Sequence, residues 1–123
     1  GKRLDHTLAA LDCAARYAKT RHIIFVDSHD LALVCSGPRH FSLPVGERVS
    51  IHPLRPVTFA RSTGLSYPLD GLTFAPGVAS GTSNEATSEQ VVIEPQKGDE
   101  APWLLMLDRR YLNSLLNSSM LAT

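Results

Sequence analysis

Cysteine is scarce in this chain of 123 residues, and Cys13 and Cys35 lie too far apart in sequence to suggest a disulfide framework or a metal knuckle. That scarcity fits a reducing compartment. An excess of either charge is also missing: 12 Lys and Arg residues balance 12 Asp and Glu residues, so no net basic field steers the chain onto nucleic acid. No apolar run approaches the roughly 18 residues that a membrane span requires, and no signal-peptide pattern opens the sequence. These absences predict a cytoplasmic protein whose partners are neither nucleic acid nor membrane.

Recognisable catalytic motifs are missing as well. The five histidines, at 6, 22, 29, 40 and 52, have no metal-ligand spacing with one another or with the cysteines. Gly77 and Gly81 are followed by no phosphate-binding Lys, and there is no GxSxG elbow. The segment Arg3-Leu-Asp-His6 brings a cation, an acid and a base together. Asp5 there fits the first turn of a helix, where the macrodipole favours negative charge.

What is present is enough chain for one domain that buries roughly two thirds of its unfolded surface. Leu4, Leu8, Leu11 and Ala15 recur with helical period among further alanines, which predicts a helix over about 4–19. Next come two β-rich runs, His22 to Asp27 and Leu31 to Cys35, separated by Ser28-His-Asp30, a hairpin signal. Short strand patterns follow at about 39–43, 47–52, 56–63, 71–75, 89–94 and 102–107, punctuated by Pro and Gly. From Arg109 to Met120, Leu112, Leu115 and Leu116 return to helical spacing. The fold class is therefore mainly β: an antiparallel β-sandwich preceded by one N-terminal helix and followed by a short C-terminal one.

The segment Gly71 to Ala86 stands out within that pattern. Leu72, Phe74 and Val78 favour burial, whereas Thr82, Ser83 and Asn84 supply donors and acceptors, and Gly77 and Gly81 permit close backbone approach. Such a segment reads either as an ordinary turn between strands or as a polar loop suited to a small heteroaromatic ligand.

Three motifs in order add a resemblance. Gly1-Lys-Arg-Leu-Asp-His-Thr-Leu-Ala9 resembles the G-G-R-x-D-H-T-L-A segment of thiamin pyrophosphokinases, with Lys2 in place of the second Gly. Gly64-Leu-Ser-Tyr-Pro-Leu69 resembles that family's G-L-K-Y-P-L, and Gly81-Thr-Ser-Asn-Glu85 its G-I-S-N-E, with Thr82 in place of Ile. The resemblance covers about residues 1–107. It implies a homodimeric, Mg2+-dependent enzyme that transfers pyrophosphate from ATP to thiamin, with thiamin held by a C-terminal β-sandwich and ATP by an N-terminal α/β domain.

On that reading residues 1–20 are the last helix of the nucleotide domain, 21–108 the thiamin-binding sandwich, and 109–123 a C-terminal extension without a family counterpart. The chain is then a piece of a longer protein, and alone it is inactive. The alternative is a non-catalytic β-sandwich module for ligand binding or dimerisation.

The resemblance also carries candidate site residues. Tyr67 matches an aromatic position near thiamin, where its ring would stack on the pyrimidine and attract the thiazolium cation; the rival reading is a core aromatic. Ser83 and Asn84 match the Ser-Asn pair, which either addresses the aminopyrimidine edge or fixes the loop that does. Thr82 adds a hydroxyl beside them. Glu85 either offsets the thiazolium charge or is a solvated strand-end carboxylate. Asp5 matches a position near the phosphate-transfer centre, a catalytic or Mg2+-binding role that would need acidic partners from elsewhere.

Overall fold

A computed structural model describes residues 4–117. Helix α1, Leu4–Tyr17, is followed by nine strands: β1 Ile24–Val26, β2 Asp30–Cys35, β3 Arg39–Ser42, β4 Arg48–Pro53, β5 Val57–Thr63, β6 Thr73–Phe74, β7 Gly81–Glu85, β8 Gln90–Pro95 and β9 Trp103–Asp108. A 3-10 turn, Arg109–Tyr111, leads into α2, Leu112–Leu116. The strands form two sheets, ordered β1-β2-β9-β4-β7 and β3-β8-β5-β6, and every strand pairing is antiparallel.

The alternation of side chains in strands explains the layering. Leu31, Leu33 and Cys35 of β2, and Trp103, Leu105 and Leu107 of β9, point into the space between the sheets. There they meet Phe41 of β3, Phe59 of β5 and Val91 and Ile93 of β8. Phe59 packs edge-on against Trp103, ring centroids 5.7 Å apart, and against Phe74 at 5.5 Å. Such contacts are favoured by the ring quadrupoles. Burial in this layer pushes the Cys35 thiol up to about 12, against a smaller opposing effect of Arg39.

The other faces of β2 and β9 are buried too. Ala32 and Val34, with Leu104, lie under Ala14, the buried residue of α1, and Ala18, just past its end. Small side chains four apart let the helix lie close to the sheet. Covered on both faces, β2 and β9 read as continuous apolar runs rather than alternating ones. Of the residues that mark the helical period, Leu11 and Ala15 pack into this cluster beside Ala14 and Ala18. Leu4 and Leu8 extend beyond it and are exposed.

The predicted hairpin at residue 28 forms. Asp27 closes it through Oδ1, which accepts the N–H groups of His29 at 2.8 Å and Asp30 at 2.7 Å. The tail helix is present from Leu112 to Leu116, and its predicted continuation to Met120 lies outside the described residues. Leu115 enters the core between the sheets, with Tyr111 and Leu112 packed around it, so the tail closes one end of the sandwich. One strand was not anticipated: the Ser-Asn segment, read from sequence as a loop, is edge strand β7. Its polar residues suit an edge that faces solvent.

Candidate functional site

The two motifs at 64–69 and 81–85, separated in sequence by the excursion through β6, lie side by side. Gly64 makes the first turn. Its φ of +80° and the position its Cβ would take, 2.3 Å from the carbonyl oxygen of Gln90, leave room for no side chain. The chain then runs beside the end of β7: Leu65 bridges Ala86, the Ser66 N–H donates to the Glu85 carbonyl at 2.9 Å, and the Thr87 N–H donates to the Gly64 carbonyl at 2.8 Å.

Asn84 locks the two segments together. Its side chain is buried; Oδ1 accepts the Tyr67 N–H at 3.0 Å and the Glu85 N–H at 2.9 Å, while Nδ2 donates to the Tyr67 carbonyl at 2.8 Å. Reciprocal bonding of this kind satisfies backbone groups that no strand partner serves. The far end of the 64–69 segment is closed by Ser62 and Asp70. The Leu69 N–H donates to Ser62 Oγ at 2.8 Å, and the Ser62 N–H donates to Asp70 Oδ1 at 3.0 Å.

Leu65 and Leu69 are buried anchors, and between them Tyr67 is 70% exposed. The core-aromatic reading of Tyr67 is therefore set aside. An aromatic ring on a loop fixed at both ends, with its backbone clamped, is a prepared stacking surface.

On β7 the register against β4 slips. Val49 faces Asn84 and Ile51 faces Gly81, so Thr82 and Ser83 together oppose Ser50. This bulge places Ser83 at φ +60°, the positive value found at no other non-glycine among the described residues. The Ser83 N–H turns off the ladder and donates to Ser50 Oγ at 2.9 Å. Thr82, Ser83 and Glu85 are exposed while Asn84 is buried, so three of the four β7 candidates face solvent beside the Tyr67 loop. Gly81 ends the bulge under the ring of Phe74, 2.8 Å from where a Cβ would stand.

Behind the bulge, charges line one end of the larger sheet. Asp30 of β2 stands opposite Asp108 of β9, a like-charge pairing that would be unfavourable alone. Arg48 of β4 bonds Asp30, and Arg110 bonds Asp108 at 3.2 Å. Arg110 also holds the Asp108 carboxyl below the usual range, first through its side chain and then through its backbone N–H. The Tyr111 hydroxyl is raised, mainly by burial and next by its hydrogen bond to Glu47.

Asp5 sits in the first turn of α1, on a different element from the Tyr67 and Ser83 segments. Among the described residues no group of three His, Cys, Asp or Glu side chains converges as metal ligands, so Asp5 does not complete a Mg2+ site there. Ser50, Arg48 and Ser62 sit inside ordinary strand patterns in the sequence; the bulge gives Ser50 and Arg48 their roles, and the Leu69 turn gives Ser62 its own.

Comparison with known proteins matches this architecture. Residues 39–98 match the family model described as thiamin pyrophosphokinase, vitamin B1 binding domain. The fold is similar to thiamin pyrophosphokinase from Geobacillus thermodenitrificans, with 23% identity and TM-score 0.71 over 88% of this chain and 50% of that one. It is also similar to thiamine pyrophosphokinase from Bacillus subtilis, with 17% identity and TM-score 0.72 over 88% and 51% of the two chains. For thiamin pyrophosphokinase from Candida albicans the identity is 17% and the TM-score 0.70, over 88% and 42%. The chain thus spans about half the length of these structures. No protein of curated function matches it. Residues 39–98, which contain both the Tyr67 loop and the Ser-Asn strand, belong to the thiamin pyrophosphokinase vitamin B1-binding domain family.

Proposed function

We propose that this domain holds thiamin against the surface formed by Tyr67, Thr82, Ser83 and Glu85, with Asn84 as the clamp that brings the two segments together. The observation that carries this reading is that juxtaposition: an exposed aromatic and an exposed polar bulge, fixed side by side within the matched residues. Tyr67 supplies a face for the pyrimidine or the thiazolium ring. The Thr82 and Ser83 hydroxyls donate and accept along an aminopyrimidine edge, and Glu85 offsets the cationic ring.

In the parent protein, on this proposal, residues 1–20 close a nucleotide-binding domain, 21–108 bind thiamin, and 109–123 are a C-terminal extension. ATP and Mg2+ are held by the other domain, with Asp5 facing that centre, in a cytoplasmic homodimer. The thiamin hydroxyl oxygen attacks the β-phosphorus of ATP, AMP leaves, and the hydroxyl proton is lost. Such a transfer relies on positioning and charge neutralisation. This chain contributes the positioning of the acceptor, and alone it forms no thiamin diphosphate.

Calorimetric titration with thiamin tests the reading. Saturable binding is expected, weakened in Tyr67→Ala by roughly fivefold or more, the equivalent of about 1 kcal/mol of lost stacking. Equal affinity in the variant would remove Tyr67 from the site, and no binding by the wild-type chain would overturn the assignment.

A further inference from the structure

The geometry points to Ser50 as a positioning residue for Ser83: its hydroxyl holds the bulge of β7 in the orientation that presents the Ser83 side chain to a ligand. This inference rests on the thiamin-site reading for its consequence but on the strand geometry for its cause.

Ser50 is central to β4, 3% exposed, and faces the outer side of the larger sheet, as Arg48 does. An apolar residue would fit such a place. Instead Ser50 Oγ accepts the Ser83 N–H at 2.9 Å and a bond from Arg48 Nη1 at 3.3 Å. Arg48 in turn is anchored by Asp30 on β2. A relay of Asp30, Arg48, Ser50 and Ser83 thus reaches from β2, across β9 and β4, to the edge strand.

The far end of the relay needs support. Ser83 adopts a positive φ without being glycine, a conformation that persists only where neighbouring contacts determine it. With two residues opposing one, the local ladder cannot serve its N–H. Ser50 supplies the missing acceptor. Without it, the Ser83 N–H would turn to solvent, which is available at this exposed edge, so the fold would persist while the orientation of Ser83 would not.

Two measurements on Ser50→Ala and Ser50→Thr, made on the full chain, decide the matter. In Ser50→Ala the Ser83 amide is expected to lose hydrogen-exchange protection and thiamin to bind roughly tenfold more weakly, with cooperative unfolding retained. Ser50→Thr keeps the hydroxyl and restores both. Unchanged Ser83 protection in Ser50→Ala overturns the inference, as does lost protection with unchanged affinity. If the wild-type chain binds no thiamin, the functional reading fails, and loss of Ser83 protection still establishes the hold of Ser50 on the bulge. Should Ser50→Ala not fold, failure of Ser50→Thr to retain Ser83 protection overturns the inference, and its retention supports it.

Discussion

Ser83 shows how a single residue divides its effects between stability and binding. Its left-handed backbone costs an L-residue roughly 1–2 kcal/mol, of which glycine is relieved, while glycine loses roughly 0.5–1 kcal/mol more in folding entropy. Ser83→Gly should therefore leave stability to denaturant unchanged or raise it by up to about 1.5 kcal/mol. It should weaken thiamin binding by roughly fivefold, through the lost hydroxyl. A variant both less stable and equally tight would contradict the strain and the contact together. At this scale the sequence was legible in part. The identities of Tyr67, Ser83, Asn84 and Glu85 could be read from motifs, and so could the rival roles of Asn84. The outcome of that rivalry could not, because the three bonds of Asn84 run to the backbone of Tyr67 and Glu85 and depend on two segments meeting in space. The glycines at 64 and 81 gain their reasons the same way, from Gln90 and Phe74.

Among the elements, the periodic ones were the most legible. Helix α1 and most strands follow from apolar spacing, and β2 and β9 from continuous apolar runs. Strand β7 was hidden because an edge strand with a bulge carries turn-like residues and no alternation. The helical period of Leu4, Leu8, Leu11 and Ala15 marks the helix, but only Leu11 and Ala15 of that line reach the sheet, where Ala14 packs beside them over Ala32 and Val34. The tail illustrates coupling between elements. Asp108 caps the turn after β9 through the Arg110 N–H at 2.8 Å, and Arg110 and Tyr111 reach Glu47 before β4. Because folding depresses the Asp108 carboxyl below its value of 3.8, its contribution is present above that value and is lost as pH falls through the folded one. Asp108→Asn retains a capping oxygen and removes the charge. Thermal unfolding should show the variant less stable than wild type near neutral pH, with the gap closing in acid; a constant gap across pH would contradict the role of the charge.

At the scale of the whole molecule, a helix covers one face of a sandwich and a short tail closes one end, leaving the edge strand β7 and the Tyr67 loop facing solvent together. Leu4 and Leu8 of α1 are exposed at the other end of the helix from the residues packed on the sheet. The most direct test of this account is a thiamin titration of the uniformly 15N-labelled chain followed by amide chemical shifts. Saturable shifts concentrated at residues 64–69 and 81–86, with the open cleft of about 620 Å3 beside Ser28, Asp108 and Asn113 unaffected, are the predicted result. Shifts clustered at that cleft, or none at Tyr67 and Ser83 under saturating thiamin, would contradict it.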